Sequence, residues 1–193
     1  METLHSLEEL TAKFDVARIN TISARLEMDQ IGELNQAQLR RTWASEDGRA
    51  DLVRQCRNLV RATFGDNVEP ELLTDSALEG YIEWALHRIQ STLDIVRPEL
   101  KFLWQRPADF NDYEFRLNKK ETQDIIEIFT SFTEFKTLQK EIRQFCKSSN
   151  LKFPTVMTEL RVMLTGLTEG PSVKEIIEVL GKEEALQRLK MFE

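Results

Sequence analysis

Thr158, Arg161 and Thr165 recur at spacings of three and four, which places them on one face of a helix running from Pro154 toward Gly166. Val156, Met157, Leu160, Met163 and Leu164 form an apolar stripe on a different face. A guanidinium at such a helix end is planar and carries donors in a fixed array, so it can both stack and hydrogen-bond. Those are the two ways in which unstacked bases of single-stranded RNA are read. Twelve residues on, Val173 opens a further helix that Ser172 caps, and Arg161 and Val173 are expected at a common rim. The competing reading pairs Arg161 with Glu159 or Glu175 and puts Val173 in the core.

Other chemistry finds little support. The only histidines, His5 and His87, are far apart, with no cysteine or carboxylate cluster around them. No Gly-rich phosphate loop is present, neither G-x-x-x-x-G-K-[ST] nor G-x-G-x-x-G. No Ser-His-Asp or Cys-His set can be assembled. Glu8-Glu9 and Glu183-Glu184 read as solvated acids near helix N-termini, where the dipole favours them. Cys56 and Cys146 lack metal-ligand spacing and read as buried, reduced thiols. The residues describe a binder, with no catalytic set and no cofactor site.

The elements that must position these residues are helical. Ser6…Glu9, Ser76…Glu79 and Ser172…Glu175 each have the spacing of a capping box. From Ser76, the residues Leu78, Ile82, Ala85, Leu86, Ile89, Leu93 and Val96 predict one helix that lasts until Pro98. A segment from Asp51 places Leu52, Val53, Cys56, Leu59 and Val60 on one side and Arg54, Arg57 and Arg61 along another, either a solvated row or an RNA-facing strip. Trp104 to Asp112 reads as a loop. Beyond it come two aromatic-rich helices, one with Ile125, Ile126, Phe129 and Phe132, the next with Phe135, Leu138, Ile142 and Phe145. Gly166 and Gly181 are placed to stop helices. Together these predict an all-α helical bundle of two small subdomains, 1–106 and 107–193, with a waist near Pro107.

Composition sets outer bounds. With 41% hydrophobic and 31% charged residues the chain has the make-up of a soluble globular protein. No apolar run approaches the roughly 20 residues of a bilayer span, so no membrane partner is expected. The acid-containing start lacks the basic character of a secretory or mitochondrial presequence. The net charge of −7 requires that any RNA-facing basic residues be gathered on one face.

The run Leu160-Arg161-Val162-Met163-Leu164-Thr165-Gly166, then Glu169-Gly170-Pro171-Ser172, then Leu180-Gly181-Lys182-Glu183-Glu184-Ala185-Leu186, closely resembles the C-terminal signature of bacterial-type and organellar glutamyl-tRNA synthetases. Ser6 to Leu10 with Phe14 to Asn20 is similar to the family segment that follows the KMSKS loop, and Leu34-Asn35 to a pair shortly after it. Leu103-Trp104-Gln105-Arg106-Pro107-Ala108 is similar to a stretch of animal mitochondrial members. The resemblance spans nearly the whole chain, and the terminal signature is its specific part.

The resemblance implies two α-helical subdomains, a helix cage that grips the anticodon arm. It implies that Arg161 contacts the first anticodon base and that Val173, where the family more often has Leu, packs against that base. An earlier family arginine sorts glutamate tRNA from glutamine tRNA, and Arg88 is the nearest candidate. Gln30 stands where the family commonly has a backbone-contacting lysine. The implied partner is glutamate tRNA, with glutamine tRNA as an extension, bound by a monomer in the mitochondrial matrix or otherwise the cytoplasm. ATP chemistry would belong to a catalytic domain with HIGH and KMSKS motifs, absent from this sequence. Two rivals stand beside this reading: a helical protein–protein adaptor, with an exposed apolar groove around Phe129, Phe132 and Phe135, and a degenerate paralogue without tRNA affinity.

Overall fold

The computed structural model describes residues 5–19, 22, 28–108, 110 and 113–192. Among them are nine α-helices, several short 3-10 turns and no strand. The helices are α1 (Leu7–Lys13), α2 (Met28–Trp43), α3 (Glu46–Phe64), α4 (Asp75–Ala85), α5 (Lys119–Ser131), α6 (Phe135–Ser148), α7 (Phe153–Thr165), α8 (Val173–Leu180) and α9 (Lys182–Leu189). The all-α expectation holds. Asn20 of the N-terminal signature, and Asp109, Asn111 and Asp112 of the expected loop, lie outside the described residues.

Side-chain caps open α1, α3, α4, α5 and α8. The boxes at Ser6–Glu9 and Ser172–Glu175 are both formed, and Asn118–Glu121 makes a third at the head of α5. Helix α3 begins five residues before Asp51, because Ser45 Oγ accepts from the Gly48 N–H at 3.2 Å and Glu46 and Asp47 follow in the first turn. The expected cap at Ser76 is not used. Thr74 comes first and accepts from the Ala77 N–H at 3.3 Å, which leaves Ser76 and Glu79 inside α4.

The helix expected to reach Val96 ends at Ala85. Asp94 is the physical reason. Its buried carboxylate accepts from the Gln90 N–H at 2.8 Å and the Ser91 N–H at 3.0 Å, and Ser91 Oγ donates to it at 3.3 Å. These side-chain bonds satisfy backbone donors that a continuing helix would have used. The chain folds into a turn and a 3-10 segment over Thr92–Val96. Ile89 and Ile95 still reach the core, whereas Leu93 is 64% exposed. The Trp104 indole N–H donates to Ile95 O at 2.8 Å and pins the turn.

One hydrophobic cluster takes residues from both expected subdomains, among them Tyr81, Ile82, Phe102 and Trp104 before Pro107 and Leu160, Leu164, Val173 and Ile176 after it. Trp104 is fully buried and meets Tyr81 edge to face at 5.5 Å. Phe129 and Phe132 are buried and Phe135 half-buried, so no exposed apolar groove forms around them. Their faces fill the interior instead. Cys56 and Cys146 are buried free thiols, and burial pushes the Cys56 thiol up to about 12.

Candidate nucleic-acid interface

Helix α7 carries the site. Its apolar stripe is buried through Val156, Leu160, Met163 and Leu164, which leaves Thr158 and Arg161 half-buried at the surface, while Thr165 of the same expected face is itself buried. Gly166 ends the helix at φ +76°, a left-handed conformation that costs glycine little, and its N–H donates to Val162 O at 2.7 Å. Thr165 Oγ1 donates to Arg161 O at 2.7 Å and accepts from the Leu167 N–H at 3.1 Å, so the same hydroxyl closes the helix and starts the next loop.

Arg161 pairs with neither Glu159 nor Glu175. Its Nε donates to Pro171 O at 2.8 Å and its Nη1 to Thr168 O at 3.1 Å. The guanidinium thus clasps the loop between α7 and α8. Among the described residues its Nη2 edge makes no hydrogen bond, and the side chain is only part-buried. Glu159 is instead 0% exposed and accepts the Arg116 and Leu117 N–H groups, both at 3.0 Å. A buried carboxylate satisfied by two backbone donors locks residues 116–117 onto α7.

Across the loop, Glu175 closes the α8 box by accepting from the Ser172 N–H at 2.9 Å and Ser172 Oγ at 2.8 Å. The backbone N–H of Ser172 foremost, its hydroxyl next, and Arg88 hold the Glu175 carboxyl below the usual carboxylate range. Arg88 Nη2 donates to Glu175 Oε1, and Arg88 Nη1 to Trp84 O at 2.8 Å. The Arg88 guanidinium also lies 3.9 Å from the centre of the Trp84 ring, a cation–π stack. These groups, with Leu100, Gly170 and Pro171, line a cleft of about 390 Å³. Trp84 Nε1 is buried there without a hydrogen-bond partner.

The structure therefore gathers two of the three anticipated residues around one loop: Arg161 holds Pro171 from the α7 side, and Arg88 meets Glu175 from the α4 side. Val173, expected at the rim, is instead 1% exposed at the first position of α8: its side chain belongs to the core cluster and presents no face to a base. Trp84, in the last turn of α4, carries no signal of this role in the sequence; the turn that follows the helix folds Arg88 back over its ring. Of the arginine row on α3, Arg54 pairs with Asp51, while Arg57 donates to Leu73 O at 3.1 Å and pairs with Asp75. Arg57 is thereby part of the α3–α4 junction. Among the described residues, no group of histidine, cysteine and carboxylate side chains could hold a metal ion, and no helix is long and apolar enough to cross a membrane.

The sequence model of a family described as "Anticodon binding domain" matches residues 51–192, which includes Arg88, the clasped loop and all of α7 and α8. The chain belongs to the anticodon binding domain family. Among its relatives, the glutamate–tRNA ligase of Nitrosomonas europaea is 29% identical over 194 residues, covering 98% of this chain and 40% of the relative. Glutamate–tRNA ligase 2 of Rickettsia rickettsii (strain Sheila Smith) is 31% identical over 122 residues, or 58% of this chain and 24% of the relative. The crystal structure of a glutamate tRNA ligase from Elizabethkingia meningosepticum superposes with a TM-score of 0.71 at 21% identity, over 97% of this chain and 36% of that one, and shows the shared fold. The chain thus spans about 40% of the length of such full-length relatives.

Proposed function

We propose that this anticodon binding domain reads the anticodon loop of glutamate tRNA and holds the tRNA for charging by an ATP-dependent glutamate–tRNA ligase. The observation that carries the reading is the clasped loop. Arg161 is fixed at the end of α7 by two loop carbonyls, with its Nη2 edge unengaged, beside a cleft that stacks Arg88 on Trp84. A guanidinium already held in place stacks on a base, or bonds to its edge, without first losing its own rotamer freedom. Val173 supports the rim from beneath, and Arg88 is the residue whose contacts would separate glutamate from glutamine tRNA. The monomeric state and a mitochondrial setting belong to the same proposal, the latter supported by the likeness of Leu103 to Ala108 to animal mitochondrial members.

The test is binding of this chain to transcripts of glutamate tRNA and of an unrelated tRNA, with Arg161→Ala and Arg161→Lys alongside. Stacking on one base is worth about 1–3 kcal/mol, so Arg161→Ala should weaken binding of the cognate transcript roughly 5- to 150-fold. Lysine keeps the charge but has no planar fork, so Arg161→Lys should restore little of the preference. Equal affinity of the parent chain for both transcripts, or a preference untouched by Arg161→Ala in a variant that still melts cooperatively, would overturn the reading.

A further inference from the structure

Helix α6 presents Lys136, Lys140, Arg143 and Lys147 at spacings of four, three and four, which aligns them along one side of the helix. The buried residues Leu138, Ile142, Phe145 and Cys146 lie nearly opposite at 3.6 residues per turn. All four cations are exposed, and among the described residues none has an ion-pair partner within salt-bridge distance. This differs from Arg54, Arg57, Arg88, Arg97, Arg106 and Arg188, each neutralised by an acid. Gln139 and Gln144 flank the row and, with the four cations, line a shallow depression of about 480 Å³. The helix carries a single acid, Glu141, whose Oε2 is buried. In a chain of net charge −7, this is a concentrated unneutralised positive face.

We propose that this face of α6 seats the phosphate backbone of the RNA whose loop is read at Arg161; the inference rests on the function proposed above. Charge complementarity selects the occupant. The row spans about 16 Å at 1.5 Å per residue, enough for several successive phosphates of one strand. Three of the four donors are lysine ammoniums, compact charges on flexible stems that suit a repeating anion rather than the edge of a particular base. Helix α6 is also tied to the reading helix. Residues 149–152 alone join it to α7, and the Arg143 guanidinium stands 4.0 Å from the centre of the Phe153 ring at the head of α7. One RNA arm can therefore engage both, with α7 supplying the reading and α6 the grip.

The experiment is the salt dependence of binding to glutamate tRNA and to an unrelated tRNA. The strip variant is Lys136→Gln, Lys140→Gln, Arg143→Gln and Lys147→Gln combined, which preserves helix propensity. A charge-matched control replaces the exposed Lys101, Lys119, Lys120 and Lys190 by Gln. Every phosphate no longer neutralised by the protein lowers the slope of log K against log salt by about 0.7–0.9, so four fewer cations should lower it by roughly three. The strip variant should weaken both tRNAs alike and keep the cognate preference, and the control should change the slope little. An equal effect in strip variant and control would reduce it to net charge and overturn the inference. So would an unchanged slope, or abolished binding to phosphatidylserine vesicles with tRNA binding intact, which would assign the face to a membrane. If the parent chain shows no cognate preference yet the strip variant alone has the lower slope, the α6 inference stands and the anticodon reading falls.

Discussion

Replacing Glu184 by glutamine tests the joint that holds α7 in place. Glu184 on α9 is bound on two sides. Arg106 donates to it through Nε at 2.9 Å and Nη2 at 2.8 Å, and Arg188 through Nε at 2.7 Å. Arg188 is 0% exposed, and its Nη1 donates to Leu164 O at 2.7 Å, in the last turn of α7 two residues before Gly166. A buried cation therefore caps the C-terminal end of the helix that carries Arg161, and Glu184 is its counter-charge. Glutamine would keep the shape, remove the charge and turn an N–H₂ toward a guanidinium. Stranding a buried charge in this way costs about 3–5 kcal/mol. For a chain of this size that is a fall in Tm of roughly 6–20 °C, at about 2–4 °C per kcal/mol.

Urea and thermal melts followed by circular dichroism give the number, and pairing Glu184→Gln with Arg188→Met gives the cause. Removing both charges should recover part of the stability, although Leu164 O then lacks its buried donor. The pH dependence has a definite sign. Burial pushes the Glu184 carboxyl up, but the bonds and charges of Arg106 and Arg188 outweigh it, and the net position is below the ordinary value of 4.5. A carboxyl lowered by folding contributes fully above its unfolded value and loses that contribution as pH falls through the folded one. The gap between parent and Glu184→Gln should thus be widest near neutrality and narrow in acid, as the pH falls below the ordinary carboxylate value and through the lower folded one. A cost under about 1 kcal/mol, or a gap that does not narrow in acid, would show the pair to be screened by solvent and refute the reasoning.

Two further outcomes follow from the site. Gly166→Ala places a side chain at φ +76° with its Cβ 3.2 Å from Pro107 Cβ, so a destabilisation of about 1–2 kcal/mol is expected in thermal melts; unchanged stability would remove the left-handed stop from the account. Glu175→Gln keeps an acceptor for the α8 box but frees Arg88 from an ion pair whose side chains are 33% and 37% exposed. Stability should change by only about 0–1 kcal/mol, while tRNA affinity at low salt should rise, and weaker binding in a filter or anisotropy assay would count against Arg88 as an RNA contact.

Local signals were legible in the sequence wherever the cause is local. The apolar stripe of α7, the glycine stop at Gly166 and the Ser172–Glu175 box depend on residues within one or two turns of each other, and all are present. The same kind of signal misled at Ser76 and Val96. Three- and four-residue spacing continues through residues 86–96, but Asp94 draws the backbone donors of Gln90 and Ser91 to itself and ends the helix. Spacing records which residues are apolar. It does not record a competing acceptor.

By itself the sequence determined the all-α class, the helix that presents Arg161, the loop that follows it and the likeness to one family, because periodicity, caps and short motifs are properties of neighbouring residues. Only the tertiary structure decided what those residues touch. Arg161 stood near two plausible acids, yet it clasps Pro171 and Thr168, because Glu159 is committed to Arg116 and Leu117 and Glu175 to Ser172 and Arg88. Arg88 and Glu175 are 87 positions apart, and Arg106 and Glu184 are 78 apart. Which opposite charges meet over such distances is set by how buried faces pack, a property of the whole core that no short stretch of chain carries.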